Sequence, residues 1–383
     1  MAKLKVMAVF GTRPEAIKMA PLVQELHKYE DEIHPLVTVT AQHREMLDQV
    51  LNLFGITPHY DLDIMQAGQT ITDVTIRALA GLDKVIKEVR PDLILVHGDT
   101  TTTFAASLAA FYHQVAVGHV EAGLRTYKKE APFPEEMNRQ LVGVLADLHF
   151  APTQRAARHL RQEYKREEAI YVTGNTVIDA LKTTVRPDYT HPLLDRLEGG
   201  RLVLLTAHRR ENWGEPLRRI FRAVRRLADE LEDIHVIYPV HLNPQVGKPA
   251  QAILGGHPRI HLVPPLDVLD FHNFMARSTL ILTDSGGIQE EAPSLGVPVL
   301  VLRETTERPE GVEAGTLKLA GTGEEKVFGL ALELLTDPVL YDRMAKASNP
   351  YGDGWASARI VQAILHFFGR RKEPPAPFGS KTG

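Results

Sequence analysis

The chain has 383 residues, 44% of them apolar and 24% charged, too long for one ordinary hydrophobic core and too apolar for disorder, so two globular domains are expected. A net charge of −4, from 44 basic against 48 acidic residues, excludes a whole-surface field for nucleic acid or anionic membrane and confines any anion site to a local cluster. With no cysteine there is no disulfide framework, thiolate zinc site or cysteine nucleophile, and Met1–Lys5 leads straight into a strand with no signal-peptide pattern and no apolar run near ~18 residues, which predicts a cytoplasmic protein.

In the first half, short apolar runs at Val6–Phe10, His34–Thr40, Leu93–Val96, Val115–Val120 and Leu148–Ala151 each precede a small or polar cluster and then helix-period sequence. Continuous apolarity, rather than alternation, fits strands covered on both faces, as in parallel sheets with helical crossovers. After the first run comes Gly11–Thr12–Arg13–Pro14–Glu15–Ala16–Ile17–Lys18. Pro14 suits a first helical turn, while Arg13 and Lys18 set two cations against the helix dipole, a conflict that an anionic ligand would relieve and that two solvated side chains would leave standing. The pattern is not G-x-G-x-x-G, so a dinucleotide cofactor is disfavoured. The third and fourth runs end in His97–Gly98–Asp99–Thr100 and His119–Val120–Glu121–Ala122, two carboxylates at strand ends suited to acid and base work. The bland alternative makes Asp99 a helix N-cap and pairs Glu121 with Arg125. Pro132–Phe133–Pro134–Glu135 adds an acid on a proline-stiffened loop.

Strand-like Ile170–Val172 and then Thr173–Gly174–Asn175–Thr176 suggest an interdomain hinge; the polar connection Pro187–Gly200 reads equally as a long loop inside the second domain, where His191–Leu194 can start a helix. The second half repeats the architecture with runs at Leu202–Thr206, His235–Tyr238, Ile260–Val263, Leu280–Leu282 and Val299–Leu302. His208, Arg209 and Arg210 close the first of these, a group able to protonate or bind a leaving phosphate. His241 lies in a turn after the second, and the 17 histidines lack zinc-site spacing, so no metal is expected. Asp284–Ser285–Gly286–Gly287–Ile288–Gln289–Glu290–Glu291 follows the fourth run: glycines that admit a pyrophosphate, a helix start that favours it, and a carboxylate for a ribose. Acids there would also complement the dipole without a ligand, but that leaves the Ser–Gly–Gly unused. Arg308, after the last run, reaches the same edge. Asn349–Pro350–Tyr351–Gly352–Asp353–Gly354 then breaks the chain before an amphipathic helix, Ala356–Phe368.

Taken together, Phe10–Pro21, Val96–Thr103, Gly118–Arg125, Asp284–Ser294, Thr305–Glu310 and Asn349–Gly354, in this order, make the chain closely resemble the bacterial non-hydrolysing UDP-N-acetylglucosamine 2-epimerases. The resemblance implies an α/β fold of two Rossmann-like β/α/β domains facing across a cleft, of glycosyltransferase-B type. The first domain is expected over 1–173 joined by the C-terminal helix 356–370, the second over 174–355, and 371–383 as a flexible tail. It further implies a homodimer, no cofactor, a place in cell-envelope polysaccharide biosynthesis, and reversible conversion of UDP-GlcNAc to UDP-ManNAc. On the family pattern Asp99, Glu121, Glu135 and His208 are catalytic. Arg13, Lys18, Ser285, Gly286, Gly287, Glu291 and Arg308 contact the nucleotide sugar, with Phe271 by the uracil, where Leu266 replaces a glutamine of some members. A second UDP-GlcNAc acting as activator would meet Gln42, His43, Arg44, Arg209 and His241, whereas Glu45 and Gly68 depart from polar or basic residues of some relatives.

The chemistry suits these residues. No carbonyl acidifies C2–H of the sugar, so elimination is the expected route: the C1–O bond breaks with its electron pair leaving on UDP, a carboxylate takes the C2 proton, and a 2-acetamidoglucal forms. Re-addition of UDP with protonation on the opposite face inverts C2. Asp99, Glu121 and Glu135 remain alternatives for the base. The competing readings are a hydrolysing epimerase that releases ManNAc and UDP, a glycosyltransferase of the same fold, and a non-enzymatic nucleotide-sugar-binding regulator.

Overall fold

The computed structural model describes residues 2–42, 44–197 and 199–380. The chain forms two compact units, Met1–Ala180 with Gly352–Gly383, and Leu181–Tyr351. The expected crossing after residue 173 therefore occurs later, because Thr176–Thr184 is a helix that begins in the first unit. On return the chain crosses before residue 356, at Gly352, where an added Cβ would lie 2.9 Å from Ile178.

In the first unit seven parallel strands stand in the order β3-β2-β1-β4-β5-β6-β7. They are β1 Leu4–Phe10, β2 Ile33–Val39, β3 Tyr60–Asp61, β4 Leu93–His97, β5 Ala116–Val120, β6 Leu148–Ala151 and β7 Ile170–Val172. Every residue of β4 is buried, which is why its sequence is a continuous apolar run. Helices Ile71–Val89 and Thr101–Tyr112 cover one face through Val74, Ala78, Leu82, Ala105 and Ala109. The helix Ala356–Phe367 belongs to this unit; Asp179 accepts from its Ala356 and Ser357 amides at 3.2 and 2.8 Å. The segment expected as a loose tail is instead laid along β7 as far as Ser380. Phe378 N–H donates to Val172 O at 2.8 Å on this edge strand, and Arg371 pairs with Glu32 at 2.6 Å. An edge strand with unpaired carbonyls supplies the reason.

In the second unit six parallel strands stand in the order β10-β9-β8-β11-β12-β13. They are β8 Arg201–Thr206, β9 Ile234–Pro239, β10 Ile260–Val263, β11 Ser278–Thr283, β12 Val299–Val301 and β13 Leu317–Leu319. Apolar clusters lie on both faces: one around Phe221, Tyr238 and Leu282, the other around Ile237, Phe274 and Ile281. In each sheet the strand order reverses at one place, between β1 and β4 and between β8 and β11. Loops leaving two such strands diverge to opposite faces and open a crevice at their carboxyl ends, where α/β sheets bind ligands.

Candidate active site

In the first unit the loop after β1 is held by a buried carboxylate. Glu15 accepts from Gly11 N–H at 3.1 Å, Thr12 N–H at 2.8 Å, Thr12 Oγ1 at 2.8 Å, Thr100 Oγ1 at 2.7 Å and Thr103 Oγ1 at 3.1 Å. Burial raises its pKa and these bonds oppose the rise. Glu15 thus ties the Gly11–Thr12 turn to the loop that carries Asp99. Gly11 is obligatory for close packing, since a Cβ would stand 2.0 Å from Thr40 Oγ1.

From the helix Arg13–His27, Lys18 forms an ion pair with Glu121 at the end of β5. Asn175 Nδ2 donates to the same carboxylate oxygen at 2.8 Å, and His97 Nε2 is 3.8 Å away. Burial pushes the His97 imidazole down to about 4, against the pull of Glu121, so it is neutral near pH 7. Glu121 itself has φ +64°, a left-handed conformation that a non-glycine residue holds at a cost of about 1–3 kcal/mol. Its side chain is 9% exposed, so the carboxylate is held beside the Lys18 ammonium with limited access to water. Its expected alternative partner, Arg125, pairs with Glu163 at 2.6 Å instead.

Asp99 follows Gly98, where a Cβ would lie 3.6 Å from Glu121 Oε1. It is not the N-cap of the next helix; Thr100 is, accepting from Thr103 N–H. Asp99 pairs with Arg139, and Asn138 Nδ2 donates to its carbonyl at 2.9 Å. Both come from the helix Glu135–Leu145, whose first residue, Glu135, has Oε2 buried with no hydrogen-bond partner among the described residues. Arg139 also reaches Glu136 at 3.1 Å, a fully buried acid that accepts the Thr126 and Tyr127 amides. Arg139, Asn175 and Glu15 were not singled out from the sequence; Arg139 stands one helical turn beyond Glu135, the only local signal available for it.

Among the residues expected of an activator site in this unit, Gln42 Oε1 is buried without a hydrogen-bond partner among the described residues. Arg44 is taken up by Asp61 at 2.6 Å and Asp63 at 2.9 Å. His43 lies outside the described residues.

In the second unit Asp284, at the end of β11, organises the end of β8. Its Oδ2 accepts from His208 N–H, Arg209 N–H and Asn212 Nδ2 at 2.9, 2.9 and 3.0 Å. The His208 ring stacks on His241 with centroids 5.5 Å apart. Burial lowers the His208 pKa, His241 and Arg209 lower it further, and Asp284 opposes them.

Ser285 stands at the N-cap position of the short helix Gly286–Glu291 without a side-chain capping bond, and its carbonyl accepts from Gln289 Nε2 at 3.0 Å. A Cβ on Gly286 would lie 3.7 Å from Arg209 Nη2 and 3.9 Å from Arg308 Nη2, so two guanidiniums flank this glycine. Such a pair beside a bare backbone suits a diphosphate. The adjacent acids diverge: Glu290, buried, pairs with Arg308, whereas Glu291 lies 3.4 Å from His272. Arg209 is 3.3 Å from Glu307, which, although burial opposes it, hydrogen bonds from Arg303 and the nearby guanidiniums hold at about 2. Phe271 is half-buried against the Ile237–Phe274 cluster. From the sequence Asp284 and Glu307 carry no assigned role and Glu290 only that of an acid near a helix start, because a contact with a distant amide or arginine leaves no local pattern.

The family model for UDP-N-acetylglucosamine 2-epimerase matches residues 24–365. A UDP-N-acetylglucosamine 2-epimerase of Bacillus subtilis is 64% identical over 381 residues, covering 100% of both chains. A crystal structure of a UDP-N-acetylglucosamine 2-epimerase superposes with TM-score 0.93 at 62% identity, covering 99% of this chain and 100% of the other. One from Neisseria meningitidis, bound to UDP-GlcNAc, superposes with TM-score 0.85 at 48% identity over 95% of this chain and 100% of its own. The two parallel sheets are thus the Rossmann-like domains of the glycosyltransferase-B type, and the chain belongs to the UDP-N-acetylglucosamine 2-epimerase family.

Proposed function

We propose that the protein is the non-hydrolysing kind of UDP-N-acetylglucosamine 2-epimerase and interconverts UDP-GlcNAc and UDP-ManNAc in the cytoplasm, for use in cell-envelope polysaccharide. The observation that carries the reading is Glu121, strained at φ +64° and held by Lys18 and Asn175 beside the neutral His97. The second unit supplies the nucleotide grip: Ser285, Gly286 and Gly287 with Arg308 for the phosphates, Glu291 for the ribose and Phe271 beside the uracil. From the first unit Arg13 and Lys18 add positive charge, and Asp99, Glu121 and Glu135 handle the proton. As the C1–O bond breaks, its electrons leave on UDP and the C2 proton passes to a carboxylate, giving 2-acetamidoglucal; His208 stabilises the departing diphosphate. UDP then re-adds at C1 while C2 is protonated from the opposite face. No oxidant is needed, and charge stabilisation by guanidiniums in a water-poor site supplies most of the rate.

Two further properties belong to this reading. A second UDP-GlcNAc activates through Gln42, His43, Arg44, Arg209 and His241, and the protein works as a homodimer. Solution NMR in deuterated water tests the reaction. Starting from UDP-GlcNAc, UDP-ManNAc deuterated at C2 is expected, and free ManNAc as the main product would overturn the non-hydrolysing assignment. Starting from UDP-ManNAc alone, a lag relieved by trace UDP-GlcNAc is expected; simple hyperbolic kinetics would remove the activator.

A further inference from the structure

The segment Asn349–Pro350–Tyr351 contributes no group to the chemistry above, yet it grips both members of the Arg308–Glu290 pair by their backbones. The Tyr351 hydroxyl donates to Arg308 O at 2.9 Å and accepts from Gly311 N–H at 2.8 Å. Asn349 Nδ2 donates to Glu290 O at 2.9 Å and to Ser294 Oγ. The two are joined to each other, because Tyr351 N–H donates to Asn349 Oδ1 at 3.0 Å. Tyr351 is 2% exposed, so each of its bonds forms away from competing water.

The surroundings are shaped for this hydroxyl. Gly311 sits in the first turn of the helix Pro309–Ala314, and a Cβ there would lie 3.1 Å from Tyr351 Oη and 2.4 Å from Leu317 Cδ1. Only a glycine lets the ring approach the amide so closely. Arg308, at the N-cap of that helix, has its own N–H held by Thr306 Oγ1 at 3.0 Å, and Thr306 Oγ1 in turn donates to Gln289 Oε1 at 2.5 Å. With its N–H and C=O both fixed and its guanidinium on Glu290, Arg308 has little backbone freedom. Its side chain stays beside Gly286.

We propose that Tyr351, with Asn349, is a positioning residue for the nucleotide's diphosphate: its hydroxyl fixes the backbone of Arg308, and Asn349 fixes that of Glu290, so that the guanidinium is preorganised beside Gly286. This rests on the reading of Arg308 as a phosphate ligand. Preorganisation of this kind raises affinity by removing ordering cost rather than by adding a contact.

The test is calorimetric titration of UDP into the full-length wild type, Tyr351→Phe, Arg308→Ala and the double variant. Tyr351→Phe keeps the ring and removes both bonds, so UDP affinity is expected to fall about 5- to 10-fold, with KM raised more than kcat is lowered. In the Arg308→Ala background the same change is expected to have little further effect, since a residue acting through Arg308 has nothing left to position. Unchanged affinity in Tyr351→Phe, or an equal loss in both backgrounds, overturns the proposal while the phosphate-site reading stands. If Arg308→Ala itself leaves UDP affinity unchanged, that reading falls and the proposal with it. Should Tyr351→Phe not fold, Asn349→Ala enters the same cycle with the same expected outcomes.

Discussion

Asp99→Asn and Glu121→Gln remove a charge at nearly constant volume, and they separate proton transfer from nucleotide binding. Both residues belong to the unit that carries Lys18, whereas the glycine loop and Arg308 belong to the other. Each variant is therefore expected to bind UDP as the wild type does and to lose at least ~10²-fold in turnover. Calorimetry and a coupled rate assay check the two halves, and unchanged turnover would remove that residue from proton transfer. The strand-end positions of Asp99 and Glu121 were legible in the sequence because each closely follows an apolar run and precedes a small-residue turn. Their partners were not. Asn175 reaches Glu121 from 54 positions away and Arg139 reaches Asp99 from 40, and no local pattern encodes a contact at that separation. Glu15 was hidden for the opposite reason: an acid in a first helical turn already has a sufficient local explanation as partner of the helix dipole.

At the scale of elements, strand existence was legible almost throughout, since parallel strands buried on both faces leave continuous apolar runs. Tyr60–Asp61 has only two residues and Leu317–Leu319 is interrupted by Lys318, so neither leaves one, and both are edge strands. The same burial makes three strands sensitive to acid. His97 on β4, His119 on β5 and His149 on β6 are buried, and desolvation holds them at about 4, 3 and 4 respectively. Unfolded, each returns to the ordinary value of about 6.5. Between these limits the unfolded chain binds more protons than the folded one, so stability rises with pH there and falls as pH drops from about 6.5 toward 4. The full penalty is on the order of 3 kcal/mol for His97 and His149 and about 5 kcal/mol for His119, comparable with a large part of a domain's stability. Thermal unfolding is therefore expected to show a falling midpoint between pH 6.5 and 5, above the range in which ordinary carboxylates titrate. The His119 ring meets Gly98 O at 2.7 Å through Nε2, a bond that a glutamine amide can also donate. His119→Gln should flatten the slope in that window; an unchanged slope would assign the acid sensitivity elsewhere.

At the scale of the whole molecule, self-association is argued from surface the fold leaves uncovered. On the neighbouring helices Thr101–Tyr112 and Glu135–Leu145, Phe111 is 59% exposed, Tyr112 64%, Leu141 41% and Val144 72%. Large apolar side chains exposed toward the ends of two adjacent helices are costly to leave in water, and the proposed dimer is expected to use them. The same two helices begin beside residues proposed to handle the proton: Asp99 and Thr100 precede one, and Glu135, Asn138 and Arg139 lie in the first turns of the other. On the proposed reading, a second copy seated on their far ends would brace the helices that hold Arg139 against Asp99, so loss of the dimer is expected to lower turnover. In a two-fold dimer each substitution acts twice, once on each copy. Val144→Lys and Phe111→Glu each bring charge to this surface without touching the core or the site. Light scattering is expected to report the mass of two chains for the wild type and of one for the variants, with turnover lowered in parallel. A wild type that scatters as a single chain, or variants that keep the doubled mass, would rule this surface out.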